Sequence, residues 1–138
     1  NIFDIPWNDR VTYGEVRHQE EVEHSDYSFN EADVPFFREQ FDRWEIEAGR
    51  LLDRVRQEGE ESRPAPLIVP AYEATLSCSH LFNVLDARGA FSVTERAANI
   101  NRIRRLACRC AAGYADQRRA AGHPLLDAVA ADGEVQER

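Results

Sequence analysis

The chain has 138 residues, 43% of them hydrophobic and 30% charged, with a formal net charge of −8. This fits one globular domain that buries about two-thirds of its unfolded surface, and it argues against a general nucleic-acid binder, which needs a broad basic surface. No apolar run approaches the roughly 20 residues of a membrane span, no secretory signal is visible, and three cysteines without framework spacing suit a reducing, cytoplasmic setting.

The charge is uneven. Residues 1–62 hold 17 acids and 7 arginines, a net of −10, whereas residues 63–138 hold 8 acids and 10 arginines, a net of +2. All basic residues are arginine, and methionine is absent. Opening on Asn1-Ile2-Phe3-Asp4 without a start residue, the chain reads as the C-terminal part of a longer protein.

Residues 1–11 read as a loop with an extended piece. Thr12 and Glu15 form a T-x-x-E capping box, which predicts a short surface helix from Tyr13 to Glu23. Asp33 can cap a second helix with Pro35 in its first turn, where a missing N–H costs little. From there Val34, Phe37, Phe41, Trp44, Ala48, Leu51 and Val55 recur at spacings of three and four, one apolar stripe on a helix reaching about Gln57. A polar, proline-interrupted stretch, residues 58–69, reads as a linker.

Pro70 opens a third predicted helix, carrying Tyr72, Leu76, Leu81, Phe82 and Leu85 and stopping near Ala87–Gly89. Gly89 can take the left-handed backbone that closes a helix. Ser92 and Glu95 then form an S-x-x-E capping box for a last helix to about Ala121, stopped by Gly122 and Pro124. Its buried face is predicted as Val93, Ala97, Ile100, Ile103, Ala107, Cys110 and Tyr114. No segment alternates like a half-buried strand. The expected fold is all-α, an irregular bundle of about four helices over residues 1–126, with halves at 12–57 and 70–121 and a disordered tail at 127–138.

Three groups of residues invite a chemical reading. Cys78-Ser-His80 and Cys108-Arg-Cys110 suggest zinc, but residues two apart on a helix point about 160–200° apart, so neither pair chelates one ion. His18 and His24 sit among Glu15, Glu20, Glu21, Glu23 and Asp26. Catalysis needs carboxylates held at separated pKa values, and a solvated charge run favours a docking face instead. Arg102, Arg105 and Arg109, at i, i+3 and i+7, form a basic stripe on the last helix. It can pair with the acidic helix 33–57, meet a protein partner, or meet an RNA backbone. No catalytic, metal or cofactor-binding residue emerges, and no phosphate-cradling glycine loop or nucleophile arrangement is present.

The run Ser79-His80-Leu81-Phe82-Asn83-Val84-Leu85-Asp86-Ala87-Arg88-Gly89-Ala90-Phe91-Ser92-Val93-Thr94-Glu95-Arg96 closely resembles a segment of the alpha subunit of the bacterial tetrameric glycyl-tRNA synthetase. Val11-Thr12-Tyr13-Gly14-Glu15-Val16, Tyr27 to Val34, Pro70-Ala71-Tyr72, Arg102 to Ala107 and Gly122-His123-Pro124-Leu125 are similar to further segments in the same order, over roughly residues 1–126. Arg17 stands where that family often has Phe, Thr75 and Cys78 depart from its usual residues, and Asp127 to Arg138 have no counterpart. The resemblance implies the C-terminal helical appendage of a class II catalytic subunit that joins glycine to tRNA with ATP and Mg²⁺. It implies the beta subunit, a second alpha subunit and tRNA-Gly as partners, and catalytic motifs that precede Asn1. The alternative is a free-standing helical adaptor that binds a protein or RNA.

Overall fold

The computed structural model describes residues 1–55 and 64–123. Among them are four α-helices: α1 (Tyr13–Asp26), α2 (Val34–Leu52), α3 (Ile68–Ala87) and α4 (Val93–Ala120). A 3-10 turn at Ile2–Asp4 precedes them, and a π-helical turn at Tyr27–Glu31 continues α1. The described residues form no strand, only an isolated antiparallel bridge between Pro6 and Thr12. The fold is all-α, as expected.

Local chemistry starts three of the helices. Thr12 Oγ1 accepts from the Glu15 N–H, and the Glu15 carboxylate accepts from the Thr12 N–H at 2.8 Å. Ser92 and Glu95 repeat this box on α4, with the Ser92 N–H donating at 2.9 Å. In each box the backbone N–H holds the glutamate below the usual carboxylate range. The Asp33 carboxylate accepts from the Phe36 N–H at 2.7 Å, with Pro35 in the first turn of α2. Gly89, at φ +65°, closes α3, and the Ala90 N–H returns to the Leu85 carbonyl at 2.9 Å.

Several boundaries differ from expectation. α1 runs three residues past Glu23 before passing into the π turn. α2 ends at Leu52, where the Asp53 N–H bonds the Gly49 carbonyl, well before Gln57. α3 begins at Ile68, two residues ahead of Pro70, because a first-turn proline sacrifices no helical hydrogen bond. Residues 68 and 69 are therefore helical rather than linker. Half of that linker (residues 58–63), the expected Pro124 stop and the expected tail at 127–138 lie outside the described residues.

The core lies where α2 and α4 both pack against α3, while α2 and α4 also touch each other. Ala71, Ala74, Thr75 and Cys78 are buried on α3, and these small side chains allow close helix approach. Further along, Leu81, Phe82, Val84 and Leu85 meet Phe37 and Phe41 of α2, and Phe82 stacks on Phe91 with centroids 5.4 Å apart. Of the apolar residues carried by α3, Tyr72 and Leu76 stay about half exposed, at 49% and 50%. In the middle of α3 the small residues face the neighbouring helices, whereas nearer its end Leu81, Phe82 and Leu85 fill the interior. Trp44 overhangs an open depression lined by Leu76, Ser77 and His80 and remains 41% exposed, and Val55, beyond the end of α2, is exposed.

On α4 the buried positions are Asn99, Leu106 and Cys110, with Ile100 and Ile103 partly covered. The expected Val93, Ala97 and Tyr114 are exposed. Cys110 and, in part, Ile100, Ile103 and Ala107 keep to the expected face, and Asn99, a polar residue, joins them inside. Its amide donates to the Glu95 carbonyl at 2.9 Å and accepts from Arg102 at 2.8 Å, so burial leaves nothing unpaired. α1 differs from the rest. None of its residues is buried, and it packs only on the N-terminal turn and the π turn.

Candidate functional site

The arginine stripe divides. Arg102 lies between α4 and α2, where its guanidinium donates to Asp42 Oδ1 at 2.6 Å and through Nε to both Glu45 oxygens at 3.0 and 3.1 Å. It also sits over the Phe41 ring, 4.6 Å from the centroid. Hydrogen bonding to Glu45 pushes its pKa up, and partial burial opposes that shift. Arg109 pairs with Asp53 at the end of α2. Arg105 is exposed, and no ion pair holds it among the described residues. Two of the three arginines thus bind α4 to α2 within the chain, and only Arg105 points to solvent uncommitted.

The thiols and histidines do not converge. Cys78 is buried with Sγ 3.8 Å from the Phe41 carbonyl, and desolvation pushes its thiol up to about 11. Cys110 is buried beside Thr75 Oγ1 at 3.7 Å, whereas Cys108 is exposed. Among the described residues no three His, Cys, Asp or Glu side chains come together as metal ligands. His18 meets Phe3 edge-on at 5.0 Å. His24 and His80 lie on either side of an open cleft of about 390 Å³ between α1 and α3, with Glu20 and Glu23 on its α1 side. Tyr13 donates to Glu21 at 2.7 Å, which raises the phenol pKa, and the other α1 carboxylates face solvent.

Two arginines that helical spacing did not single out tie elements together, Arg88 beside this cleft and Arg38 at the start of α4. Arg88 donates to the Ala32 carbonyl at 3.1 Å and the Phe29 carbonyl at 2.8 Å, pinning the π turn to the end of α3. Arg38 donates to the Ala90 carbonyl, covers the Phe91 ring at 5.2 Å and approaches Glu95 at 3.8 Å. Periodicity cannot find such residues, because both reach backbone carbonyls more than 50 positions away.

A further surface feature is an open trough of about 340 Å³ between the start of α3 and the second half of α4. Ile68, Val69 and Tyr72 line one side, and Ala107, Ala111 and Tyr114 the other.

Compared with known families, residues 1–119 match the model of the glycyl-tRNA synthetase alpha subunit. The chain belongs to that family. The family is one of aminoacyl-tRNA synthetase subunits, and the matched stretch takes in all four helices except the final residue of α4. It stops short of Gly122-His123-Pro124-Leu125, so the similarity read there falls outside it. Within the glycyl-tRNA synthetase resemblance, the segment Ser79–Arg96 does structural work. It supplies the end of α3, the Gly89 turn, the Arg88 clamp, the Ser92 box, and an Arg96–Asp86 ion pair at 3.0 Å across the turn. No helix among the described residues is long and apolar enough to cross a membrane.

Proposed function

We propose that this chain is the helical region of a glycine–tRNA ligase alpha subunit, and that it packs beside the catalytic core and joins alpha to beta subunits rather than performing chemistry. The observation that carries the reading is α1: fourteen helical residues, capped at the start, with none buried. An isolated helix of this length is marginal in water, because its nucleation cost is repaid only by packing. On this reading α1, which packs on the N-terminal turn and the π turn, gains further stability from a surface outside the described residues, to which Val16, Val22, Tyr27, Phe29 and Phe36 offer apolar contacts.

ATP, Mg²⁺ and glycine belong, on this reading, to the core. On this reading Arg102 and Arg109 hold no phosphate, since their guanidiniums already face carboxylates of α2 and its end. A second alpha subunit and tRNA-Gly complete the proposed cytoplasmic assembly. Arg105, left uncommitted by the fold, is the member of the arginine stripe best placed for a partner.

The test is glycine-dependent ATP–pyrophosphate exchange by residues 1–138. No exchange is expected, together with retention of the beta subunit in a pull-down. Exchange catalysed by this chain on its own is incompatible with the proposal.

A further inference from the structure

We infer that the trough between α3 and α4 receives an amphipathic helix of a partner protein, with carboxylates along the edge that meets α4 and a basic residue along the edge that meets α3. The shape supports a helix. Ala107, Ala111 and Tyr114 form one ridge and Ile68, Val69 and Tyr72 the other, with no charged side chain among the residues lining the trough. From Ala107 to Tyr114 is seven residues, about 10 Å at 1.5 Å per residue. That span suits apolar residues at i, i+3 or i+4, and i+7 of an incoming helix. Alanines at 107 and 111 let its backbone come close. Val69 and Tyr114, at 65% and 55%, are the most exposed of the trough's large apolar side chains, followed by Tyr72.

The charges at the rim set the partner's polarity. Arg104 lies about one turn before Ala107 and Arg118 about one turn after Tyr114, while Glu73 follows Tyr72 on α3. Arg96, Arg102, Arg109 and Arg119 all have carboxylate partners. By contrast, Arg104, Arg118 and Glu73 form no ion pair among the described residues, and Arg104 reaches only the Asn101 amide at 3.4 Å. An apolar trough gives a phosphate backbone nothing to bind, which disfavours RNA. The α1 of a second copy, exposed and acidic, is disfavoured as well, because it has no three apolar residues at i, i+3 or i+4, and i+7.

The inference deepens the proposed assembly role and rests on it for its probe, the beta subunit. The full chain is immobilised and its retention of the beta subunit measured for wild type, Ala111→Glu, and the double variant Arg104→Glu/Arg118→Glu. Ala111 is exposed, so its glutamate leaves the fold intact, which circular dichroism verifies. A carboxylate placed in an apolar contact is costly, so Ala111→Glu should bind at least about tenfold more weakly. The double variant should also bind more weakly, with the largest deficit at low salt. Wild-type retention with undiminished binding by Ala111→Glu overturns the groove while leaving the assembly role standing. Failure of the wild type to retain the beta subunit overturns both. A concentration-dependent dimer of the chain that Ala111→Glu abolishes would assign the trough to a second copy instead.

Discussion

Replacing Arg102 by alanine tests the central joint of the fold. The side chain carries hydrogen bonds to Asn99, Asp42 and Glu45, and it covers the Phe41 ring. The Arg102 and Glu45 side chains are only 28% and 25% exposed, so this pair escapes much of the screening that makes surface ion pairs nearly worthless. Hydrogen bonds to charged groups contribute about 1.5–3 kcal/mol in buried settings. Partial exposure lowers that figure, and contact with an aromatic face adds about 0.5–1 kcal/mol. Truncation also leaves the Asn99 amide oxygen without its donor. The expected loss is about 2–3 kcal/mol, or roughly 8–12 °C in Tm at about 4 °C per kcal/mol for a chain of this size. Urea unfolding followed by circular dichroism measures it, with Arg102→Lys as a control that retains the charge and loses the fork. In a double-mutant cycle with Glu45→Ala, a coupling energy above about 1 kcal/mol is expected. A loss below about 0.5 kcal/mol for Arg102→Ala would refute the assignment of this arginine as the α2–α4 joint.

The two capping boxes are chemically alike but should respond differently to mutation. Ser92→Ala is expected to cost about 1 kcal/mol of global stability, because α4 belongs to the packed core. Thr12→Ala should instead raise amide exchange within α1 and leave the global unfolding midpoint unchanged, because α1 buries nothing. Equal shifts in the two midpoints would contradict this separation. The Cys78 thiol, held up to about 11 from 9.0 chiefly by desolvation, is the protonated form in the fold over a range where the unfolded chain ionises. The unfolded state then binds fewer protons, so stability should fall as pH rises from about 9 to about 11, by up to about 1.4 kcal/mol per unit. Cys78→Ala should flatten that slope, and an unchanged slope would assign it elsewhere. A thiol reagent near pH 8 should label the exposed Cys108 well before Cys78 or Cys110.

The sequence by itself determined where three of the helices start, where α3 stops, and that the fold is all-α. Those features depend on groups within about four residues of each other: Thr12 with Glu15, Asp33 with Phe36, Ser92 with Glu95, and Gly89 with the turn it closes. The family resemblance was legible for the same reason, since its most specific run is one uninterrupted stretch, the end of α3, the Gly89 turn and the first turn of α4. Tertiary structure decided which side of each helix became interior. Three-four spacing marked Val93, Ala97 and Tyr114 as core, yet all three are exposed, while Asn99 and Leu106 are buried beside Cys110, and α3 adds Ala71, Ala74 and Cys78 to the interior. Periodicity reports that an apolar arc exists, and only the positions of the other helices determine which arc they cover. The arginines make the same point over longer range. One stripe of three could read as a partner surface or an internal brace until α2 came alongside and brought Asp42, Glu45 and Asp53 to Arg102 and Arg109 across more than 50 residues of chain.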